Sequence, residues 1–379
     1  MSQKNHNHGG FTLIEVLVVM AIIAILTAVL VPSASKKLST LYKRYKVVSV
    51  FYATDRNATG KEEPHAFFGG SRGTLSFGVC DASIPEDHRI GALETPFILY
   101  RVLGLKRFAE DPEQHVVLLA VEPKAQAVFL AELKNKIAAS EKRGALVFIH
   151  GYNVSFEDSC RRTAQLAYDL KFSGAPMMYS WPSEGSLLNY VKDETDVEWS
   201  TPDFERFLEM LADETGARTI HLVAHSMGNR ALVNALASIV KKRGKDLRPL
   251  FSQVVLTAPD LDAGVFRNLA RIIQKGSLRT TLYASSNDEA LNLSKKFHGY
   301  ARLGDAGHNL TVVKGMDTVD ASSVKTSFLG HSYFGDEDSV IADLHELVAE
   351  LKPPDQRFYL RERKRQSLAY WEFRKRKGD

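Results

Sequence analysis

The sequence predicts an α/β fold in which a mostly parallel sheet carries helices on both faces, preceded by one N-terminal hydrophobic helix. Two observations predict it. Short apolar runs alternate with helix-period patterns from residue 46 onward, and an apolar stretch of membrane-spanning length comes before them. With 44% hydrophobic and 25% charged residues among 379, the composition is that of a globular protein. A net charge of +4 is too small to indicate a nucleic-acid-binding protein.

The N-terminal apolar stretch, residues 11–31, is long enough to cross a hydrocarbon core as a helix. It contains one charge, Glu15, and follows a short polar leader. Because a carboxylate in lipid is costly, we expect Glu15 to have a partner or a role. The pattern predicts a leader peptide over 1–10, an anchor helix over 11–32 and a linker over 33–45.

This N-terminus resembles those of type IV prepilins and type II secretion pseudopilins, in Gly10 before Phe11, in Glu15 and in Pro32 after the apolar run. The resemblance implies that a prepilin peptidase cuts after Gly10 and methylates Phe11, and that Glu15 pairs with the amino terminus of a neighbouring subunit. It also implies an inner-membrane anchor with the remaining chain outside the cytoplasm. A pilin would continue this helix, whereas a strand pattern begins here at Val47, which favours an anchor over a filament subunit.

The alternating pattern continues to residue 352, so the sequence predicts a catalytic domain over 46–352 and a basic C-terminal tail over 353–379. The predicted strands are 47–52, 77–80, 97–100, 116–121, 145–149, 177–182, 219–225, 253–258, 280–284 and 310–313. The predicted helices are 155–172, 202–215, 228–241, 265–273 and 338–351. Residues 184–203, between a strand end and a helix, are interpreted as a short cap over the site.

The strand that ends at His225 leads directly into Ser226 and a helix pattern, which is how a nucleophile elbow looks in sequence. This turn is sharp, so the residues two places either side of the serine must be small, and here they are Ala224 and Gly228. Glycine is usual at both places, and a methyl group is about the largest that the crossing tolerates. The competing interpretation is a helix N-cap, where serine is favoured for its hydrogen bond alone.

A serine hydroxyl needs a base within hydrogen-bond reach, and histidine titrates in the right range. In chain order the base is expected after the last strand, where His331 lies in a loop. His345 falls inside a helix pattern, and His298 and His308 come before the last predicted strand. His331 is therefore the predicted base, and an ordinary surface histidine is its alternative interpretation.

A buried carboxylate that orients the base is expected after the strand before last. Asp288 follows that strand, while Asp260 and Asp262 follow the preceding one and are the alternatives. All three residues also come before helix patterns, so helix capping is the competing interpretation of each.

Backbone N–H groups are expected to stabilise the negative charge that develops on the attacked carbonyl. One donor is Met227, directly after the serine, and the other is Tyr152 or Asn153 in the loop after the 145–149 strand. The mechanism requires no metal and no cofactor. The two cysteines, at 80 and 160, are too few for a disulfide framework and form no zinc motif.

The segments VFIHGYNVSFEDSCRR, MMYSWPS, IHLVAHSMGNR and YASSNDEAL resemble the α/β-hydrolase superfamily. Within it they resemble a bacterial family of uncharacterised esterase-like hydrolases of the DUF900 type, over most of residues 46–351. The resemblance implies the α/β-hydrolase fold and a Ser-His-Asp triad of Ser226, His331 and Asp288. It does not supply a substrate.

These inferences predict a serine hydrolase, carboxylesterase- or lipase-like, that cleaves a small-molecule or lipid ester through an acyl-enzyme. Membrane contact is expected through residues 11–31, with a prepilin peptidase as the processing partner and no nucleic-acid partner. The alternative is a pilin-like structural or binding protein with a catalytically silent hydrolase fold. The basic tail is interpreted either as a solvated end or as a segment that binds anionic lipid.

Overall fold

The computed structural model describes residues 43–96, 110–184, 189–244, 247–324 and 338–374. Its contacts divide the chain into two units, Met1–Lys46 and Val47–Asp379. The predicted leader and anchor helix, and the predicted strand 97–100, lie outside the described residues. Within the described ranges, no helix combines the length and the apolar character needed to cross a membrane.

The described strands form one sheet of 11 strands in the order β10-β11-β9-β8-β7-β6-β4-β5-β1-β2-β3. In chain order they are β1 (Tyr45–Ala58), β2 (Phe68–Pro85), β3 (Leu118–Lys124), β4 (Gly144–Ile149), β5 (Ala175–Ser180), β6 (Thr219–His225), β7 (Phe251–Thr257), β8 (Ser277–Ala284), β9 (Asp317–Asp320), β10 (Leu360–Arg365) and β11 (Leu368–Phe373). The pairs from β1 through β5, β4, β6, β7, β8 and β9 to β11 are all parallel. The pairs β2–β3 and β10–β11 are antiparallel. A mostly parallel sheet is thus confirmed.

The described α-helices connect these strands. They are α1 (Gln126–Ala139), α2 (Phe156–Asp169), α3 (Tyr190–Glu214), α4 (Gly228–Arg243), α5 (Ala263–Gly276), α6 (Glu289–His298) and α7 (Asp338–Val348). Ser155 caps α2 by accepting a hydrogen bond from the Asp158 N–H, and Asp262 caps α5 in the same way from Val265. Such side chains satisfy backbone donors that have no partner within the helix.

The central strand β4 shows how the sheet separates two apolar cores. Its residues alternate, because successive side chains of a strand point to opposite faces. Ala145, Val147 and Ile149 lie in the cluster that contains buried residues of α1, α3, α4 and α5. Leu146 and Phe148 lie in the cluster that contains buried residues of α2 and α7. Helices therefore cover both faces, as predicted, and the central strands are almost wholly apolar for that reason.

The predicted strand at 310–313 is wrong. The strand beside β8 is Asp317–Asp320, in which Val319 is the one apolar residue. Leu310 is buried, but it packs in a small cluster with Ala284 and Ala306, directly after a 3₁₀ turn. A short apolar run reads the same in a strand and in a buried loop, and periodicity does not separate the two.

Helix α3 begins at Tyr190, well before the predicted start at Pro202. Proline is common in the first helical turn, which is why the sequence pattern placed the start there. Here Pro202 lies inside a helix of 25 residues. Residues 190–203, interpreted from the sequence as part of a cap, are therefore the first half of a long helix.

The sheet continues past residue 352 into the predicted basic tail. Strands β10 and β11 form a hairpin, and β11 pairs in parallel with β9. Leu360 and Phe373, which face each other across the hairpin, are buried in the same cluster as α7. The basic residues Arg361 and Arg363 both pair with Glu372. Charge dominates the composition of this segment, but Leu360 and the alternate residues Trp371 and Phe373 of β11 supply the apolar contacts that join it to the core.

A buried ion pair holds the start of this C-terminal segment. The Arg357 guanidinium donates hydrogen bonds to the Asp343 carboxylate of α7 (3.1 Å) and to the Tyr283 hydroxyl of β8 (3.0 Å). The Tyr283 hydroxyl in turn donates to Asp343 at 2.5 Å. All three side chains are fully or almost fully buried. Removal of one partner would leave a charge in the interior without compensation.

We expect Arg357→Met to lower the free energy of unfolding by about 3–5 kcal/mol, because the Asp343 charge would then be buried without its cation. Arg361→Met is the matched control. Its pair with Glu372 is half exposed, so its loss should cost less than about 1 kcal/mol. Urea denaturation of both variants measures the difference, and equal losses would show that the buried pair does not anchor the segment.

Candidate active site

The register of the sheet brings the carboxyl ends of the central strands to one edge. Ile149 of β4 lies beside Ala224 of β6, and His225 of β6 lies beside Thr257 of β7. Thr257 in turn lies beside Tyr283 of β8. The loops after these four strands therefore start at the same level, and polar groups at the carboxyl ends of such strands commonly form the site of an open α/β fold.

Ser226 lies at this edge, in the turn between β6 and α4. Its φ is 52°, in the left-handed region that residues with a side chain adopt at a cost of about 1–3 kcal/mol. Backbone hydrogen bonds hold this conformation. The Ser226 N–H donates to the Thr257 carbonyl at 3.0 Å, and the Ser226 carbonyl accepts from Asn229 at 3.2 Å and Asp260 at 3.1 Å. Sharp strand-to-helix turns of this kind present a nucleophile above the sheet.

Two glycines leave the room that this turn needs. A Cβ at Gly228 would lie 2.3 Å from the His150 carbonyl oxygen, which is backbone and cannot rotate away. A Cβ at Gly151 would lie 2.8 Å from the Ser226 Cβ. Gly228 thus lets α4 start against the end of β4, and Gly151 lets the loop after β4 pass beside the serine. The sequence predicts that a small residue is needed two places after Ser226, and this close contact at Gly228 is the steric reason.

The predicted oxyanion donors lie around the same turn. Met227 is the N-cap residue of α4, and no acceptor for its N–H or for the Tyr152 N–H occurs in the described part of the chain. The Asn153 N–H is engaged, because it donates to the Asp193 carboxylate at 3.1 Å. Asn153 itself has a φ of 58°. Of the two predicted residues in this loop, Tyr152 is the one whose N–H is available.

Sequence reasoning missed Arg56, which organises the loops at this edge. Its fully buried guanidinium donates to the carbonyl oxygens of Gly69 (3.1 Å), Ser183 (2.9 Å) and Val154 (2.6 Å), and to the Ser180 hydroxyl (2.9 Å). These acceptors come from β2 and from the ends of β4 and β5. Burial lowers the pKa of Arg56 to about 10, and nearby acidic groups oppose this, so the guanidinium keeps its charge at neutral pH. A cation at the end of an apolar strand was the available signal.

His150, at the end of β4, is a neutral member of this scaffold. Its burial and the adjacent Arg56 hold the pKa of His150 well below its ordinary value. The Nδ1 atom lies 2.7 Å from the Gly151 carbonyl oxygen, so Nδ1 carries the proton and Nε2 is left to accept from Arg56 and Ser180, each at 3.3 Å. The ring stacks on Trp181 with 4.8 Å between centroids. These contacts fix the loop that contains Tyr152.

The three carboxylate candidates lie in different surroundings. Asp288 is 1% exposed and caps α6, accepting from the Leu291 N–H at 2.9 Å. Asp262 is partly exposed and caps α5. Asp260 is buried and accepts from Arg302 Nε (2.7 Å), from the Ser294 hydroxyl (2.6 Å) and from the Tyr190 hydroxyl. Asp262 and Asp288 therefore cap helices, as the competing interpretation expects. Capping does not exclude a second role for either carboxylate.

Asp260 joins the start of α3 to α6. Burial raises the pKa of Asp260, but the adjacent Arg302 and Arg230 outweigh burial and hold it below its ordinary value. Tyr190, which donates to Asp260, also packs edge-on against Tyr152, with 5.3 Å between ring centroids. The first turn of α3 thus lies against the loop that follows β4.

The remaining predicted residues are not placed. His331, Gly10, Phe11 and Glu15 lie outside the described residues, so the approach of the predicted base to Ser226 stays a prediction. His225, next to the serine, is buried. Among the described residues, no group of His, Cys, Asp and Glu is arranged to hold a metal ion.

Comparison with known families identifies the chain. The family described as "Alpha/beta hydrolase of unknown function (DUF900)" matches residues 125–350, which is more than half of the chain. The protein therefore belongs to this α/β-hydrolase family, and the resemblance seen in the sequence is confirmed. A second family, the prokaryotic N-terminal methylation motif, matches residues 5–31. This confirms the prepilin-type character of the N-terminus.

Individual relatives are distant. An uncharacterized protein from Nostoc sp. is 23% identical over 207 residues, which are 46% of this chain and 51% of the relative. The chain thus spans about half the length of that relative. A solved structure described as a hydrolase of the alpha/beta superfamily from Xanthomonas campestris pv. campestris is 16% identical, with a TM-score of 0.23, over 44% of this chain and 89% of that one. A hyperthermophilic esterase from the archaeon Pyrobaculum calidifontis is 11% identical, with a TM-score of 0.30, over 59% and 90%.

Proposed function

We propose that this α/β-hydrolase family member is a serine hydrolase that cleaves carboxylic esters, with Ser226 as nucleophile, His331 as general base and Asp288 as the orienting acid. The observation that supports it most is the position of Ser226. A buried serine is held at positive φ in the turn between the central strand β6 and α4, at the edge of the sheet where neighbouring strands end. An N-capping serine needs no such backbone conformation.

The reaction follows from these roles. The Ser226 hydroxyl attacks the ester carbonyl as His331 takes its proton, and the tetrahedral intermediate collapses to an acyl-enzyme. The alcohol leaves with the proton from His331. Water then attacks the acyl group, again with His331 as base, and releases the carboxylic acid and free Ser226. Asp288 steadies the imidazolium in both halves of the cycle.

Tyr152 and Met227 are the proposed oxyanion donors. Their N–H groups have no acceptor in the described structure, whereas the Asn153 N–H is held by Asp193. Preorganised donors act without rearrangement during the reaction, which is the usual reason for their large effect. Arg56 and His150 support this arrangement, because they fix the backbone on either side of Tyr152.

Asp288 is a better candidate for the acid than the alternatives. Asp260 already accepts hydrogen bonds from Tyr190 and Ser294 and is neutralised by Arg302. Asp262 is partly exposed, whereas the carboxylate of a triad is buried. Asp288 is buried and follows β8, which is two strands away from β6 in the sheet.

The methylation motif supports an exported, membrane-anchored enzyme. Residues 5–31 match that motif, and we propose that the mature chain begins at Phe11 after cleavage by a prepilin peptidase. The apolar run would then anchor the hydrolase domain on the outer side of the inner membrane. A lipid or small-molecule ester is the proposed substrate.

We expect Ser226→Ala to lower turnover of p-nitrophenyl butyrate by about 10⁴–10⁶-fold and to abolish labelling by a fluorophosphonate probe, because the attacking oxygen is lost. Ser76→Ala is the control, since Ser76 is a partly buried residue of β2, four strands from β6, and its hydroxyl donates to the Thr74 carbonyl at 3.0 Å. Labelling of the Ser226→Ala protein at the wild-type level would rule out this nucleophile.

Asp288→Asn and Asp262→Asn form a matched pair. Each side chain caps a helix, and asparagine caps as well as aspartate, so both variants should keep their thermal stability. We expect only Asp288→Asn to lower kcat, by about 10⁴-fold, because an amide there favours the wrong tautomer of the base. A loss of kcat in Asp262→Asn alone would assign the orienting carboxylate to Asp262, in the loop after β7.

The alternative is a pilin-like structural protein in which the hydrolase fold is silent, and the methylation motif is the observation that favours it. If the enzyme assignment is right, Glu15→Ala should stay in the membrane fraction and keep ester turnover, because the apolar run alone provides the anchor. Glu15→Gln is the conservative control. Cross-linked oligomers that disappear in Glu15→Ala, together with a wild-type protein that lacks turnover, would favour the structural role.

A further inference from the structure

A cavity lies between α5, the 3₁₀ turn Gly307–Asn309 and the tip of the β10–β11 hairpin. Its volume is about 360 Å³, within the range of about 300–1,000 Å³ that is usual for small-molecule sites. Arg267, His308 and Arg365 are among the residues that line it. None of the described residues of the proposed ester site lines this cavity, so it is a separate feature of the molecule.

Two guanidinium groups bring positive charge to this cavity. Arg267, an exposed residue of α5, donates to the Thr311 hydroxyl at 3.2 Å. Arg365, partly buried at the end of β10, donates to the carbonyl oxygens of Gly307 (2.6 Å) and His308. All these acceptors are uncharged, and neither guanidinium has an acidic partner in the described ranges. Because a guanidinium carries more N–H groups than these contacts use, both side chains can still donate to a ligand.

The acid next to this cavity is already occupied. Asn309, on the cavity wall, donates to Asp305 at 3.3 Å, and the buried Asp305 pairs with Lys295 at 3.2 Å. No carboxylate is among the described residues that line the cavity. The exposed side chains of His308 and Gln366 add further polar groups at the surface. An accessible space with two uncompensated cations attracts an anion, and a dianion most strongly.

The backbone contacts of Arg365 fix its position before any ligand binds. Its two carbonyl acceptors belong to the 3₁₀ turn, so the hairpin tip and this turn are held together at the cavity. A cation that is already in place loses little conformational freedom on binding, which favours affinity. The remaining wall is apolar, with Leu310 buried and Val312 and Leu368 partly buried.

These features fit an organic phosphate. A phosphate monoester carries nearly two negative charges at neutral pH, and planar guanidinium groups match its oxygens with paired hydrogen bonds. We propose that the cavity binds a phosphate monoester, with its phosphate on Arg267 and Arg365 and its carbon skeleton against Leu310 and Val312. A soluble phosphate ester and the headgroup of phosphatidic acid both present this group.

Isothermal titration calorimetry of the full-length protein in detergent at pH 7 tests the site. Glycerol 3-phosphate is the soluble probe, dihexanoyl phosphatidic acid presents the lipid headgroup, and dihexanoyl phosphatidylcholine is the lipid control. We expect the two monoesters to bind, and acetate to bind at least about tenfold more weakly because it carries one charge. Tighter binding of phosphatidic acid than of glycerol 3-phosphate assigns the site to a headgroup, and the reverse order assigns it to a soluble ester.

Three variants show whether the ligand binds in this cavity. Arg267→Gln keeps a donor for Thr311 but removes the charge, and Arg365→Gln removes the second charge. Each should weaken binding of the preferred monoester by at least about tenfold, because a charge-assisted contact is lost. Lys275→Gln is the control, since Lys275 is an exposed cation of the same helix that does not line the cavity. It should bind as the wild type does.

Arg267 is exposed, so its variant keeps the test valid even if Arg365→Gln loosens the hairpin, which near-UV circular dichroism would reveal. Three results would overturn the proposal: a wild type that binds neither monoester, equal affinity in the wild type and Arg267→Gln, or acetate bound as tightly as the monoesters. Arg267→Gln should retain ester turnover. Monoester binding that persists in Ser226→Ala separates this site from the proposed active site.

Discussion

The buried guanidinium of Arg56 is the interaction on which the geometry of the candidate site depends. One side chain at the end of β1 binds backbone carbonyls from β2 and from the loops after β4 and β5, together with the Ser180 hydroxyl. Since the planar guanidinium offers its donors in fixed directions, it favours the relative arrangement of these loops that is observed. Lysine, with a single ammonium, could not satisfy the same set of acceptors.

Arg56 is connected to Ser226 through a series of contacts. Arg56 holds Val154 and contacts His150, His150 stacks on Trp181, and the loop between His150 and Val154 passes beside Ser226. Gly151 makes this passage sterically feasible, and Asp193 holds the next turn of the same loop through the Asn153 N–H. The proposed nucleophile, the proposed oxyanion donors and the first turn of α3 are therefore positioned by a set of buried polar groups.

Much of this arrangement could be predicted from the sequence, for physical reasons that differ by element. Apolar runs such as Ala145–Ile149 predict central strands, because a strand buried on both faces has to be apolar throughout. The turn at Ser226 was predictable from Ala224 and Gly228, since only small residues permit the crossing. The caps at Asp262 and Asp288 follow from their position before helix patterns.

The features that were missed depend on tertiary context. Strand β9 has one apolar residue, so its sequence does not indicate a strand until β8 and β11 lie on either side. The sequence predicts a helix start at Pro202, because proline is common in the first helical turn. In the folded chain, tertiary packing extends the helix back to Tyr190. Arg56 stands at the end of an apolar strand, but the sequence does not indicate its acceptors, which come from segments up to 127 residues distant.

The C-terminal hairpin has a consequence for the way in which copies of the chain meet one another. Strand β10 ends the described sheet, and an outermost strand offers its backbone groups to any neighbouring chain. Here that strand reads Leu-Arg-Glu-Arg-Lys-Arg, so another molecule approaching in register would bring like charges together. The cations of this outermost strand therefore oppose the addition of a strand from another copy of the chain.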